Sequence, residues 1–189
     1  GEAIEVYRRG LELQPNNVDA KHELLELYTS PYVRFDAEGV SLADQLLAKN
    51  DKDVVALRSK AMSLYRLKKY DEALATTTQW NTVAPQDVQG LRIRYELRYF
   101  LKNSPDEIIA DANKAVAANP NDPRFKLLQG FAYMLAGRNK EATDALKQAA
   151  EAKAPDAGFV KELTTLLDGL HLYDDSQAVL EKAAAGNSD

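Results

Sequence analysis

The feature that most constrains the fold of this chain is an internal repeat with a period close to 34 residues. Proline ends a helix-like segment in LQPNN, VAPQD and ANPND, at Pro15, Pro85 and Pro120, which are 70 and 35 residues apart. Small residues recur at the same interval, at Ala73, Ala142 and Ser176, which are 69 and 34 residues apart. A period of this length indicates stacked supersecondary units, each too small to bury its apolar face alone.

Each unit has the pattern of two antiparallel helices. In residues 123–156, FKLLQGFAYMLAG is the first helix and KEATDALKQAAEA is the second. Gly137 is suited to end the first helix, because glycine adopts the left-handed conformation at low cost. Gly130 and Ala142 are small where the two helices would cross, so their backbones can approach closely. Proline after the second helix prevents its continuation.

This pattern resembles the tetratricopeptide repeat (TPR) family. Its signature combines a small residue and an aromatic in the first helix, glycine before the turn, a Tyr-x-x-Ala motif and a closing proline. The best match lies in residues 123–156, through Gly130, Tyr133, Gly137, Ala142 and Ala149. Further matches are Ala61, Tyr70, Ala73 and Pro85 in residues 54–87, and Leu163, Tyr173, Ser176 and Ala183 in residues 157–189.

The resemblance implies an all-α fold, a right-handed superhelical solenoid of antiparallel helix pairs over residues 1–189. Residues 1–17 are predicted to be the second helix of a repeat without its partner, which suggests a fragment of a longer array. Residues 88–122 match the signature loosely and residues 18–53 match it least. The predicted repeats are 18–53, 54–87, 88–122, 123–156 and 157–189.

Composition limits the possible functions. The 189 residues include no cysteine, which excludes disulfides and thiolate chemistry but leaves the compartment, cytoplasmic or periplasmic, open. A net charge of −5 argues against general nucleic-acid binding. No apolar run approaches the ~18 residues that a membrane span needs, and the first residues lack a signal-peptide pattern. Residues 1–53 carry a net charge of −5 and residues 54–122 a net of +2, so the basic centre could attract an acidic partner.

In TPR proteins the first helices line a concave groove that binds peptides, and the resemblance implies the same groove here. In residues 54–87 the groove positions share a helical stripe that includes Arg58, Met62, Tyr65 and Arg66. Arginine pairs well with carboxylates and tyrosine adds stacking area, so an acidic peptide is the expected ligand. The alternative is that these arginines pair with neighbouring acids and bind nothing. Met62 stands where a chaperone-tail clamp would need asparagine, which disfavours that ligand.

Two further sets of groove positions leave alternatives open. In residues 88–122 the preferred register places Arg92, Glu96 and Tyr99 in the groove, since Leu91 and Tyr95 then face the core. A register shifted by one places Ile93, Leu97 and Phe100 there. In residues 123–156 the stripe Phe131, Met134 and Leu135 is either an apolar peptide pocket or part of the core.

Catalysis finds little support in the sequence, and we expect neither enzyme activity nor a cofactor. His22 and His171 are about 150 residues apart, and no cluster of ligating residues has metal spacing. The leading hypothesis is therefore a protein-protein interaction scaffold. The alternative is an architectural spacer or oligomerisation arm of a larger assembly, such as a bacterial envelope or polysaccharide-export machine, which would self-associate through the ends of the array. Trp80 could either wedge between repeats or lie on the convex surface.

Overall fold

The structure is a computed structural model that describes residues 2–30 and 32–186. All regular structure in these residues is α-helical, which confirms the predicted all-α fold class. The helices are α1 (Glu2–Leu13), α2 (Val18–Thr29), α3 (Asp36–Leu47), α4 (Val54–Arg66), α5 (Tyr70–Val83), α6 (Val88–Phe100), α7 (Pro105–Ala118), α8 (Pro123–Leu135), α9 (Asn139–Glu151), α10 (Ala157–Gly169) and α11 (Tyr173–Gly186).

The chain forms two compact units, residues 1–101 (unit 1) and residues 102–189 (unit 2). In unit 1 each helix from α1 to α6 packs on the next, and α2 also packs on α4. In unit 2 the same holds from α7 to α11, and α8 also packs on α10. First helices thus contact first helices within each unit, as in a solenoid of helix pairs. The predicted repeat boundaries within a single array over residues 1–189 stay a prediction.

Trp80 lies in the core of unit 1 and does not face solvent. It is fully buried on Leu57 and Ala61, and its indole Nε1 donates to Asp87 at 3.2 Å. Gly90 of α6 lies against the indole, since a Cβ at this position would be 3.1 Å from two ring carbons. Of the two alternatives for Trp80, the structure therefore agrees with a side chain wedged between repeats.

The neighbouring threonines of α5 are satisfied within their own helix. The hydroxyls of Thr76, Thr77 and Thr78 donate to the carbonyl oxygens four residues earlier, at 2.9, 2.7 and 2.7 Å. Such bonds remove the cost of burying a hydroxyl inside a helix. The run of threonines thus needs no partner outside α5.

In unit 2 the crossing of α8 and α9 depends on small residues, as the sequence predicts. A Cβ on Gly130 would lie 2.6 Å from Leu146 Cδ2 and 3.4 Å from the Ala142 carbonyl oxygen. Ala142 itself is fully buried. A larger residue at position 130 would force the Leu146 side chain to move and would disturb the contact between the two helices.

The turns between first and second helices repeat a left-handed backbone position. Its φ is 58° at Lys68, 57° at Lys102, 71° at Gly137 and 60° at His171. At three of them the amide of the left-handed residue itself also closes the helix: Lys68 N, Gly137 N and His171 N each donate to the carbonyl oxygen three residues earlier, at 3.0, 3.0 and 2.9 Å. This confirms the predicted role of Gly137.

The starts of the first helices share a cap that the sequence analysis did not identify. A side-chain oxygen accepts a hydrogen bond from a backbone amide of the first turn, and the capping residues are Asn17, Asp53, Asp87, Asp122 and Asp156. Three of them stand two residues after a closing proline. Proline and cap together mark where each helix pair begins. No helix in the described residues has the length and hydropathy needed to cross a bilayer.

Candidate functional site

The first helices of unit 1 bring most of the predicted groove residues of this unit onto one surface. Arg58, Met62 and Tyr65 lie along one stripe of α4. Towards α6, the Tyr65 hydroxyl donates to Glu96 Oε2 at 3.1 Å. Towards α2, Arg58 Nη2 lies 2.8 Å from Glu26 Oε1. We call the surface formed by Glu26, Arg58, Met62, Tyr65, Arg92 and Glu96 the first-helix face.

Glu96 is the acceptor at the centre of this face. Arg92 Nε lies 3.3 Å from its Oε1, one turn earlier on α6, while Tyr65 occupies Oε2. Burial, and then the charge of Glu96, raises the pKa of Tyr65 to about 12. The phenol thus stays protonated and donating over the physiological range. The arrangement fixes three predicted site residues from two different helices in one hydrogen-bonded group.

Arg58 and Glu26 form the most accessible ion pair of the face. Both side chains are at least one-third exposed, and the pair joins α4 to α2. Exposed pairs of this kind contribute about 0–1 kcal/mol, so a ligand carboxylate can replace Glu26 at little cost. Arg58 therefore remains a candidate contact for an acidic group.

Arg66 is placed differently from the other predicted contacts. Its Nε donates to Asp36 Oδ1 at 2.7 Å and its Nη1 to the Thr29 carbonyl oxygen at 3.1 Å. Asp36 is nearly buried at the start of α3. The guanidinium joins α4 to the preceding helix pair and is bonded to acceptors within the protein, which a ligand contact at Arg66 would have to displace.

The register of α6 agrees with the preferred alternative. Leu91 and Tyr95 are buried, as that register requires, and Arg92 and Glu96 are half-buried. The shifted register fails because Leu97 is completely buried against Leu64 and Ala73.

The last turn of α6 exposes residues from both registers. Tyr99 is 51% exposed and Phe100 is 46% exposed. Tyr99 was predicted as a contact, whereas Phe100 belonged to the rejected register. A helix end is covered on fewer sides than its middle, so the register argument fails at this turn.

In unit 2 the predicted apolar stripe belongs largely to the core. Phe131 is buried, as expected for a core residue and not for the wall of an open peptide pocket. Met134 is half-buried, with its Cε 3.5 Å from where a Cβ on Gly169 of α10 would be. Leu135 is also half-buried. These residues are available to a ligand only at their edges, because α8 is packed against α9 and α10.

The two histidines have separate local partners. His22 Nε2 lies 2.7 Å from Asp53 Oδ2, while Asp53 Oδ1 caps α4 through the Ala56 amide at 3.0 Å. His171 Nδ1 lies 2.9 Å from the Tyr173 hydroxyl in the turn before α11. Among the described residues no three His, Cys, Asp or Glu side chains are grouped to hold a metal ion.

Comparison with known sequences gives a limited result. No family model matches the chain. A probable serine/threonine-protein kinase of rice (Oryza sativa subsp. japonica), BSK3, is 24% identical over 131 residues. The aligned segment covers 69% of this chain but only 26% of the rice protein, so this chain spans about a quarter of that relative.

Comparison with solved structures identifies the fold. TTC0263 of Thermus thermophilus, a thermophilic TPR protein, superposes with a TM-score of 0.63 at 17% identity, covering 87% of this chain and 88% of its own. YrrB, described as a TPR protein with an unusual peptide-binding site, gives 0.59 at 14% identity, covering 98% and 94%. MamA gives 0.51 at 14% identity, covering 82% and 92%. The chain therefore has the fold of TPR proteins, as the repeat pattern predicted.

Proposed function

We propose that this chain, with its TPR fold, is a protein-interaction scaffold that binds a peptide segment of a partner across the first-helix face of unit 1. The role is binding, with no catalytic step assigned to the chain. The observation that carries the proposal is the convergence of side chains from α2, α4 and α6 on one surface, through the Arg58–Glu26 and Tyr65–Glu96 contacts. A peptide lying across the three helices would touch all of them.

The chemistry of the face favours a segment that includes acidic groups. Arg58 can exchange its exposed partner Glu26 for a ligand carboxylate at low cost. Met62 is half-buried between Arg58 and Tyr65, and methionine adapts its shape to a bound side chain. A peptide-binding site is also named for YrrB, a structure with the same fold. The proposal therefore keeps the acidic ligand expected from the sequence and assigns its carboxylate to Arg58.

The test begins with a ligand selected for this protein. A display library of random peptides of about twelve residues is panned on the chain, and the best binder is labelled and titrated by fluorescence anisotropy. The face variant Arg58→Ala with Met62→Ala should weaken binding by about tenfold or more, since truncating a central contact commonly costs about 1–2 kcal/mol.

The matched control is Arg9→Ala, which removes an exposed arginine of α1 that also has a glutamate partner, Glu5, at 3.1 Å. It should leave the affinity unchanged. Equal affinity of the face variant and the wild type would show that the selected peptide binds elsewhere, and the first-helix face would lose its assigned role. Thermal melts establish that both variants are folded.

A second candidate function is self-association through α1, as in an oligomerisation arm. Val6 is 67% exposed and Leu13 is 86% exposed, and their spacing of seven places them on one side of the helix. Sedimentation equilibrium of the wild type should then show a dimer that Val6→Glu with Leu13→Glu converts to a monomer. A wild-type monomer at all concentrations would exclude this second role.

A further inference from the structure

Four aromatic rings form a cluster in unit 1, where α4 ends, α5 begins and α6 ends. Tyr70 stacks on Phe100 with ring centroids 5.4 Å apart and planes within 15°. Tyr99 meets Phe100 edge-on at 5.9 Å. Tyr65 of the first-helix face lies 6.0 Å from Tyr70 and 6.2 Å from Phe100. We call Tyr70, Tyr99 and Phe100 the aromatic patch.

The patch is exposed although its rings are in contact with each other. About half of the Tyr99 and Phe100 side chains is accessible to solvent, and Tyr70 is half-buried. Single exposed apolar residues are ordinary, but adjoining exposed rings commonly mark an interaction surface. The hydroxyl groups of Tyr70 and Tyr99 add two hydrogen-bond donors beside the rings.

Two exposed lysines directly precede the patch in the sequence. Lys68, two residues before Tyr70, is exposed and held in the left-handed turn. Lys69 next to it reaches Glu72 only at 3.3 Å, with both side chains more than half exposed. The patch therefore lies beside positive charge that a ligand can neutralise.

These features together specify one kind of occupant. We propose that the aromatic patch binds an extended, acidic, proline-containing segment of a partner protein. The proposal rests on the proposed function and names the partner chemistry for the end of the same face. Proline rings pack on aromatic side chains, and an extended polyproline segment is rigid and loses little entropy on binding. Its carbonyl groups have no internal bonds and accept from the Tyr70 and Tyr99 hydroxyls. Its carboxylates face Lys68 and Lys69.

The probe is a fluorescein-labelled peptide of four Glu-Pro-Pro repeats, titrated by anisotropy into the whole chain. Two companion peptides carry Lys in place of Glu, or Ala in place of Pro. The acidic proline peptide should bind, and each companion should bind at least about tenfold more weakly. Tyr99→Ala should weaken binding of the first peptide by about tenfold. Tyr173→Ala, which removes a tyrosine that is 60% exposed in unit 2, should leave it unchanged.

Two further variants keep the test independent of folding. Phe100→Leu retains an apolar side chain of similar volume but removes the stacked ring, and it should also weaken binding. Lys68→Gly removes the charge while relieving the left-handed strain, so reduced binding by this variant cannot be due to unfolding. Unchanged binding by Lys68→Gly would overturn the acidic part of the proposal.

Failure of the patch and failure of the first-helix face give different results. Wild-type binding by Tyr99→Ala, or no binding of the Glu-Pro-Pro peptide at millimolar protein, overturns the patch proposal. In either case the peptide selected from the library still reports on Arg58 and Met62. Loss of that selected peptide in the Arg58→Ala, Met62→Ala variant alone would leave the scaffold function standing without the patch.

Discussion

A single backbone position recurs after α4, α6, α8 and α10, in the left-handed conformation that favours glycine. Only one of the four residues, Gly137, is glycine, while Lys68, Lys102 and His171 have side chains there. A residue with a Cβ pays about 1–2 kcal/mol in this conformation. Three of the four turns are therefore strained by their sequence, although at Lys68 and His171 the amide hydrogen bonds are those of an ordinary helix end.

Replacing Lys68 by Gly should stabilise the protein by about 0.5–1 kcal/mol, because the gain at the turn exceeds the added entropy of the unfolded chain. Gly137→Ala should destabilise it by about 1 kcal/mol for the opposite reason, since nothing within 4 Å of an added Cβ would compensate. Urea unfolding measures both. Gly10→Ala, at a helical position with equally open surroundings, is the control and should be stabilising. A loss of stability in Lys68→Gly would show that the left-handed backbone at this position is not strained by the lysine side chain.

Tyr65 provides a prediction for alkaline pH. Its pKa is raised from the ordinary 10 to about 12 in the folded protein, mainly by burial and then by Glu96. Because the folded state favours the protonated phenol, this contribution to stability is complete below pH 10 and is lost as the pH rises from 10 to 12. Absorbance at 295 nm should show a late phase whose amplitude falls by one tyrosine in Tyr65→Phe. Tyr32→Phe, at an exposed position, should leave the amplitude of that phase unchanged, and an unchanged amplitude in Tyr65→Phe would refute the assignment.

At the scale of the element, α4 is held to the preceding helix pair by ion pairs of two kinds. Arg58–Glu26 is exposed, whereas Arg66 reaches a nearly buried Asp36 and the Thr29 carbonyl. Removing an exposed partner costs little, but removing Arg66 leaves a buried carboxylate without its counter-charge. The two arginines of one helix thus have unequal roles in stability.

Arg66→Met should lower the free energy of unfolding by about 1–3 kcal/mol, and Arg58→Met by less than about 1 kcal/mol. Chemical denaturation of the two variants makes the comparison. Adding Asp36→Ala to Arg66→Met should recover part of the loss, because the unpaired carboxylate is then gone. Equal costs for the two single variants would show that the Asp36 pair is no better buried than the Glu26 pair.

The sequence predicts elements better than it predicts side-chain partners. Closing prolines, small crossing residues such as Gly130 and Ala142, and Gly137 were sufficient for the helix-pair pattern. The aspartate caps were visible in the same segments but were not used. Which side chains on different helices bond to each other depends on how the helices pack in three dimensions. The sequence repeat does not contain those distances. Hence Arg66 was expected to face a ligand, although its acceptor Asp36 lies 30 residues away in sequence.

At the scale of the whole molecule, the acidic and basic stretches of the sequence form ion pairs with each other within the protein. Residues 1–53 carry a net of −5, and three of their acids pair with bases of α4: Glu26 with Arg58, Asp44 with Lys60 and Asp36 with Arg66. The sequence suggested that the basic centre would attract an acidic partner. Much of that charge is already neutralised by the preceding helix pair, which the charge count alone does not reveal.

Salt should therefore lower the stability of the wild-type protein through these pairs. Between about 0.05 and 1 M NaCl the melting temperature of the wild type should fall by roughly 2 °C more than that of Arg58→Gln with Lys60→Gln, which lacks the two more exposed pairs. Far-UV circular dichroism follows the transition. An identical response of both proteins would mean that the pairs contribute nothing measurable.

For the candidate site, the sequence predicted residues of the first-helix face and Tyr99 of the aromatic patch, but not the patch as a cluster. Arg58, Met62, Tyr65, Arg92 and Glu96 were placed by helical spacing alone. Tyr70 and Phe100 were missed as a pair because they open and close different helices 30 residues apart. For Phe131 the sequence left a peptide pocket and the core as alternatives, because helical spacing does not distinguish a buried apolar stripe from an exposed one.

Because Trp80 is buried, its intrinsic fluorescence reports on the packing around it. It is the only tryptophan in the chain, and it is enclosed between α4, α5 and α6 with its indole bonded to Asp87. Its emission therefore follows the integrity of unit 1 alone, whereas helical dichroism sums both units. A shift of the emission to longer wavelength marks the loss of the contacts around Gly90 before any label is attached. Every variant proposed for unit 1 can thus be checked for native packing in the same cuvette as its binding.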